Sequence, residues 1–146
     1  MSRLVTAVLL SLILALPAAA QSTVYKLIVH RGNSVRFLTQ SDAAMLFLKK
    51  AKTWQKWGSA EPVLVVDLGQ ESDVREAFSG QVLGKRIEAV RAYWRQQLFS
   101  GNAVPPLEVA SDSAAVAYVA RTPGAIAYVS RSAKLPDGVR EVTLDK

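Results

Sequence analysis

Pro62-Val63-Leu64-Val65-Val66 is the stretch that most restricts how this chain can fold, because none of these five consecutive side chains is polar. A strand of this kind has no face to turn to water, so it must be covered on both sides. Helical segments are available to do so. Ser41 precedes a predicted helix over residues 42–50, with Asp42 in its first turn, where a carboxylate suits the positive helix end. Ser72 precedes a second, over 73–83, in which Val74, Ala77, Phe78 and Val82 recur at helical spacing, and Gly84 breaks it. A third, over 87–99, places Ile87, Val90, Tyr93, Trp94 and Leu98 along one side before Gly101 and Pro105-Pro106 stop it. Ser111 caps a fourth, which runs through Val116 and Val119 to Thr122-Pro123-Gly124. Residues 24–29, 125–129 and 139–144 read as further strands. The order β-α-β-α-α-α-β-β predicts an α/β fold, a single small domain with a mixed sheet covered by helices. The last strand alternates most clearly and is expected at an edge.

The N-terminus has the three parts of an export signal in order. Arg3 is the only charge before Lys26, residues 4–16 are apolar except for Thr6 and Ser11, and Pro17 leads into Ala18-Ala19-Ala20. We therefore expect a signal peptide over residues 1–20, cleavage between Ala20 and Gln21, a working domain over 21–146, and a periplasmic location with no membrane span after cleavage. A spanning helix needs about 20 apolar residues, more than this core supplies. With no cysteine in the chain, neither a disulfide nor a lipid-acylated cysteine is available. The formal net charge is +6. Its basic residues are scattered and no aromatic platform interleaves with them, which argues against nucleic acid and leaves attraction to small anions open.

Catalytic patterns are missing. His30 is the single histidine, so no histidine-based metal site or Ser-His-Asp set can be assembled, and no nucleotide loop motif occurs. A hydrogen-bonded structural role is expected for His30. Asp67, Glu71 and Asp73 lie beside a helix start, where capping and dipole complementarity account for them. The expectation is a protein that is not an enzyme and holds no metal or cofactor.

The candidate binding site is the strand-loop-helix from Val65 to Arg75. In open α/β sheets ligands gather at the C-terminal ends of strands, where a following helix points free N–H groups outward. Ser72, Asp73, Val74 and Arg75 are the candidate oxyanion ligands: backbone N–H groups, the Ser72 hydroxyl and the Arg75 cation. The simpler alternative makes Ser72 a cap and Arg75 a solvated helix residue, and the carboxylates of Glu71 and Asp73 favour it.

Several fragments, in order, resemble the second lobe of phosphate ABC transporter substrate-binding proteins. They are Leu46-Phe47-Leu48-Lys49, Thr53-Trp54, Pro62-Val63, then Ser72 and Phe78, and the helix end Tyr93-Trp94-Arg95-Gln96-Gln97-Leu98-Phe99-Ser100-Gly101. Val116, Val119 and Thr122-Pro123-Gly124-Ala125-Ile126-Ala127-Tyr128-Val129 complete the set, the last similar to that family's Thr-Pro-Gly-Ala-Ile-Gly-Tyr-Val strand entry. The resemblance implies one lobe of a type 2 periplasmic-binding fold. It also implies phosphate or another small oxyanion as ligand; the missing lobe and the altered loop point to an alternative, a non-enzymatic envelope interaction module that kept the fold, lost phosphate binding and docks on an envelope sensor or transporter. A homodimer would be one way to rebuild a two-sided cleft. The family's loop Arg-Ser-Asp-Gly-Ser-Gly-Thr-Thr falls on Leu68-Gly69-Gln70-Glu71-Ser72-Asp73-Val74-Arg75, where only Ser72 keeps its residue type. Leu68 stands in place of the family's arginine, and Arg75 brings a cation back further along.

Overall fold

The computed structural model describes residues 23–145, so the expected leader and cleavage point lie outside the described residues. Six strands form one mixed sheet in the order β2-β6-β1-β5-β3-β4. They are β1 (Tyr25–His30), β2 (Phe37–Thr39), β3 (Leu64–Leu68), β4 (Leu107–Val109), β5 (Ala125–Ser130) and β6 (Val139–Asp145). Strand β1 runs antiparallel to β5 and β6, whereas β3 is parallel to both β5 and β4. Among the described residues four α-helices accompany the sheet: α1 (Gln40–Phe47), α2 (Asp73–Phe78), α3 (Ile87–Phe99) and α4 (Asp112–Arg121). Among the described residues no helix is long and apolar enough to cross a membrane.

The Pro62–Val66 run is covered only in its second half, where Val65 and Val66 are buried, while Leu64 stays exposed; full cover on both faces belongs to its neighbour β5. Alternate residues of β5 point to opposite sides. Tyr128 points to the side carrying α1, α2 and α3, where its ring stacks on Phe78 at 4.0 Å between centroids and also meets Phe47. Phe47 and Tyr25 pack edge-on against Phe78 from two further directions. Such aromatic pairs contribute about 0.5–1.5 kcal/mol each beyond the area they bury. Helix α4 packs against β5, β1 and β3 on the opposite face, which at Ala125 and Ala127 is made of small side chains. Those alanines are fully buried.

The Thr122-Pro123-Gly124 entry to β5 is fastened by Trp54. Its indole N–H donates to the Gly124 carbonyl at 2.9 Å, and Leu64 N donates to the same oxygen. Gly124 has φ +82°, and a Cβ there would sit 2.4 Å from the Pro62 carbonyl oxygen, so only glycine fits. Trp54 is a core residue, while Trp57 is half-buried and packs edge-on against it.

Several expectations need correction. Strand β6 is not at an edge, because the three-residue strand β2 pairs with its outer side. Strand β4 likewise was not expected; it forms the opposite edge beside β3. The cap of α1 is Thr39, whose hydroxyl accepts from Asp42 N, so the helix starts two residues earlier than Ser41 implies and ends at Phe47. The second helix is α-helical only to Phe78 and continues as a π-type turn over Ser79–Leu83 before Gly84 ends it in the left-handed region. Helix α3 and the caps Ser72 and Ser111 agree with the sequence reading.

Candidate functional site

The C-terminal ends of β3 and β4 lie side by side, with Asp67 in register with Glu108. From β3 the chain turns through Gly69 and Gln70 to Ser72, whose hydroxyl accepts the Arg75 backbone N–H at 3.2 Å and caps α2. The capping half of the sequence reading therefore describes Ser72. Asp73 is exposed at the helix start, and Val74 is partly buried and packs against the core.

Arg75 is not a solvated helix residue. It is only 4 % exposed and folds back beneath the strand ends. One guanidinium nitrogen donates to the Leu68 carbonyl at 2.7 Å and lies 3.1 Å from the Glu108 carboxylate. The other lies 3.1 Å from Asp67. Asp67 in turn accepts hydrogen bonds from the Tyr128 hydroxyl and from Leu68 N. Asp67 thus departs from the sequence expectation of a carboxylate that complements a helix start. It is a buried strand residue whose partners are Arg75 and Tyr128.

Burial pushes the Asp67 carboxyl above its ordinary range, opposed by the nearby Arg75 charge and the Tyr128 hydrogen bond. Burial and then the Asp67 charge push the Tyr128 hydroxyl far upward, which keeps it a hydrogen-bond donor. A guanidinium held between two carboxylates has little positive field left to offer a ligand.

Beyond this buried set a cleft of about 210 Å³ opens between the Gly69–Gln70 turn, β4 and helix α3. Arg75 and Glu108 form part of its lining, Gln70 and Trp94 add an amide and an indole, and Arg91 and Arg95 project from α3. Leu98 and Pro105 complete an apolar stretch of wall. Lys49 Nζ donates to the Pro105 carbonyl at 3.4 Å, tying that segment to the end of α1. Two larger open depressions, of about 410 and 520 Å³, mix charges of both signs. The first pairs Glu76 and Glu88 with Lys85 and Arg86, and the second Asp112 with Lys134. Of these three, the smaller cleft has a cationic excess.

Sequence reasoning did not single out Tyr128, Glu108, Arg91 or Arg95 for a site. An acid ending an otherwise apolar run at Asp67, and a hydroxyl inside the apolar strand at Tyr128, were the available signs of a buried polar pair. Arg91 and Arg95 stand four residues apart on one helix face, a spacing that brings their side chains together. His30 has the local role expected: its Nδ1 accepts from Gly32 N at 3.1 Å in the turn after β1.

No protein-family model and no curated protein matches the chain. Solved structures do. A Clostridium perfringens protein described as a phosphate ABC transporter substrate-binding protein, solved with bound phosphate, superposes with a TM-score of 0.66 at 24% identity, covering 83% of this chain and 44% of its own. An ABC-type phosphate transport receptor from Vibrio cholerae gives 0.66 at 18% identity over 84% and 46%. PstS from Borrelia burgdorferi gives 0.66 at 14% identity over 84% and 47%. The fold is that of one lobe of a periplasmic binding protein. This chain spans less than half the length of each of these structures. The resemblance drawn from the sequence is met at the level of fold, in the single-lobe form it implied.

Proposed function

We propose that this chain is an exported, non-enzymatic solute-binding lobe that receives a small oxyanion in the periplasm. The observation that carries this reading is the cationic cleft at the C-terminal ends of the parallel strands β3 and β4, the place where α/β sheets collect ligands. Within the proposed site Ser72 shapes the turn, Arg75 sets the floor, and Asp73 and Val74 contribute only through the start of α2. Likeness to phosphate-binding structures supports phosphate or a similar ion as the ligand class. A site open on one side leaves part of the anion in water, so the expected affinity is weak, in the millimolar range. Calorimetric titration with inorganic phosphate and sulfate tests the reading; no heat and no thermal shift at millimolar ligand would reject it. Periplasmic fractionation with N-terminal sequencing tests export, for which a mature chain starting at Gln21 is the expected result.

One observation favours a second reading. The Ser72 hydroxyl and the Arg75 guanidinium are both engaged within the protein. On this view the lobe kept the fold and lost free phosphate, and it docks on an envelope sensor or transporter. Absence of oxyanion binding together with recovery of one such partner from envelope extracts would select it.

A further inference from the structure

We infer that Arg91 and Arg95 are the ligand-contacting cations of the cleft, and that the ligand they fit is an organic anion, an oxyanion head on an apolar body, rather than bare phosphate. This inference rests on the anion-binding reading and specifies its ligand. Arg75 is neutralised by Asp67 and Glu108 at the cleft floor. Arg91 and Arg95 are exposed, line the same cleft one helical turn apart, and among the described residues take part in no ion pair. Like charges at this spacing repel within a helix, and an anion between them removes that repulsion. Two guanidinium forks give the planar, paired donors that carboxylates and phosphates accept best.

The rest of the cleft is suited to something other than charge. Trp94, Leu98 and Pro105 form an apolar wall beside the arginines. Nearby on the chain Phe99 is 92 % exposed, and Val104 and Leu107 are also open to water. Inorganic phosphate has no surface to place against such a wall. A ligand with an aromatic or aliphatic body does, and its burial adds affinity in proportion to the apolar area covered. A volume of about 210 Å³ suits a small molecule of this kind.

The test is calorimetric titration of the protein with phenyl phosphate and with inorganic phosphate at pH 7.5 and fixed ionic strength. It is repeated on the double variant Arg91→Gln/Arg95→Gln and on the control Lys85→Gln/Arg86→Gln in the neighbouring groove. Phenyl phosphate is expected to bind at least tenfold tighter than phosphate, to lose at least tenfold in the α3 variant, and to be unaffected in the control. Equal affinity for both probes overturns the organic-anion inference and leaves the oxyanion reading standing. The same is true of phenyl phosphate binding that survives the α3 variant. Failure of both probes to bind rejects the inference and the reading together. All four side chains are exposed or half-buried, so circular dichroism and melting of each variant should match the parent and separate lost binding from lost folding.

Discussion

The two ends of strand β3 have opposite chemistry. At its N-terminal end, Trp54, Pro62 and Gly124 are joined by neutral hydrogen bonds and close backbone approach, and among the described residues no ion pair takes part in the joint. At its C-terminal end, Asp67, Arg75, Glu108 and Tyr128 form a charged and largely buried network beneath a cationic cleft. Two of the fragments that resemble phosphate-binding proteins, Thr53-Trp54 and Thr122-Pro123-Gly124, belong to the first end. At the second end the loop over residues 68–75 departs from the family pattern, while Ser72, Tyr128 and the Tyr93–Gly101 helix end, whose Trp94, Arg95 and Leu98 line the cleft, keep to it. The departure is thus confined to the turn between β3 and α2, and the scaffold around it follows the resemblance.

The sharpest way to break the first end is Trp54→Ala, which removes a buried indole and its hydrogen bond. The expected loss is about 3–5 kcal/mol in chemical denaturation. Anion affinity, measured where the variant is still folded, should not change. At the second end Arg75→Met leaves Asp67 without its cation, and the cost of an orphaned buried charge is again about 3–5 kcal/mol. That estimate lies at the lower end of the range if Asp67 takes up a proton instead. Tyr128→Phe removes the donor to Asp67 and should cost about 1–3 kcal/mol while leaving the Phe78 stack in place. A loss as small as that of an exposed substitution would show that the hydroxyl does not support the network.

Stability at the second end should also depend on pH. Burial raises the folded-state pKa of Asp67 above its ordinary value of 3.8. For such a group the stabilisation is complete below the unfolded pKa and is lost as pH rises through the folded one. The parent should therefore lose stability relative to Asp67→Asn as pH increases from about 4. The difference is read from denaturation midpoints at a series of pH values. A gap that moves the other way would mean that Arg75 and Tyr128 outweigh desolvation.

Much of the scaffold was legible because it rests on local rules. Helix α3 has apolar spacing on one side and a Gly-Asn stop, and Ser72 and Ser111 are hydroxyl caps whose geometry needs only neighbouring N–H groups. Strands β2 and β4 were not legible: each has three residues, is largely exposed, and pairs across long stretches of sequence. The alternation of β6 suggested an edge, yet its exposed positions reflect one open face and not an unpaired side. The Asp67–Tyr128 contact spans 61 residues and the Arg75–Glu108 pair needs β4 beside β3, neither of which a local pattern encodes, whereas Asp67 and Arg75 meet across a single strand-turn-helix. Arg75 for the same reason could be read as solvated until β4 and β5 were placed around it.

Entry of anions at α3 and the β3–α2 turn, as proposed, is tested by an amide NMR titration of the ¹⁵N-labelled protein with inorganic phosphate. Saturable shifts are expected, centred on residues 69–75 and 91–98 and including the Trp94 indole. Shifts centred instead on the Lys85–Arg86 or Lys134 depressions, or no shifts at tens of millimolar phosphate, would contradict this site of entry.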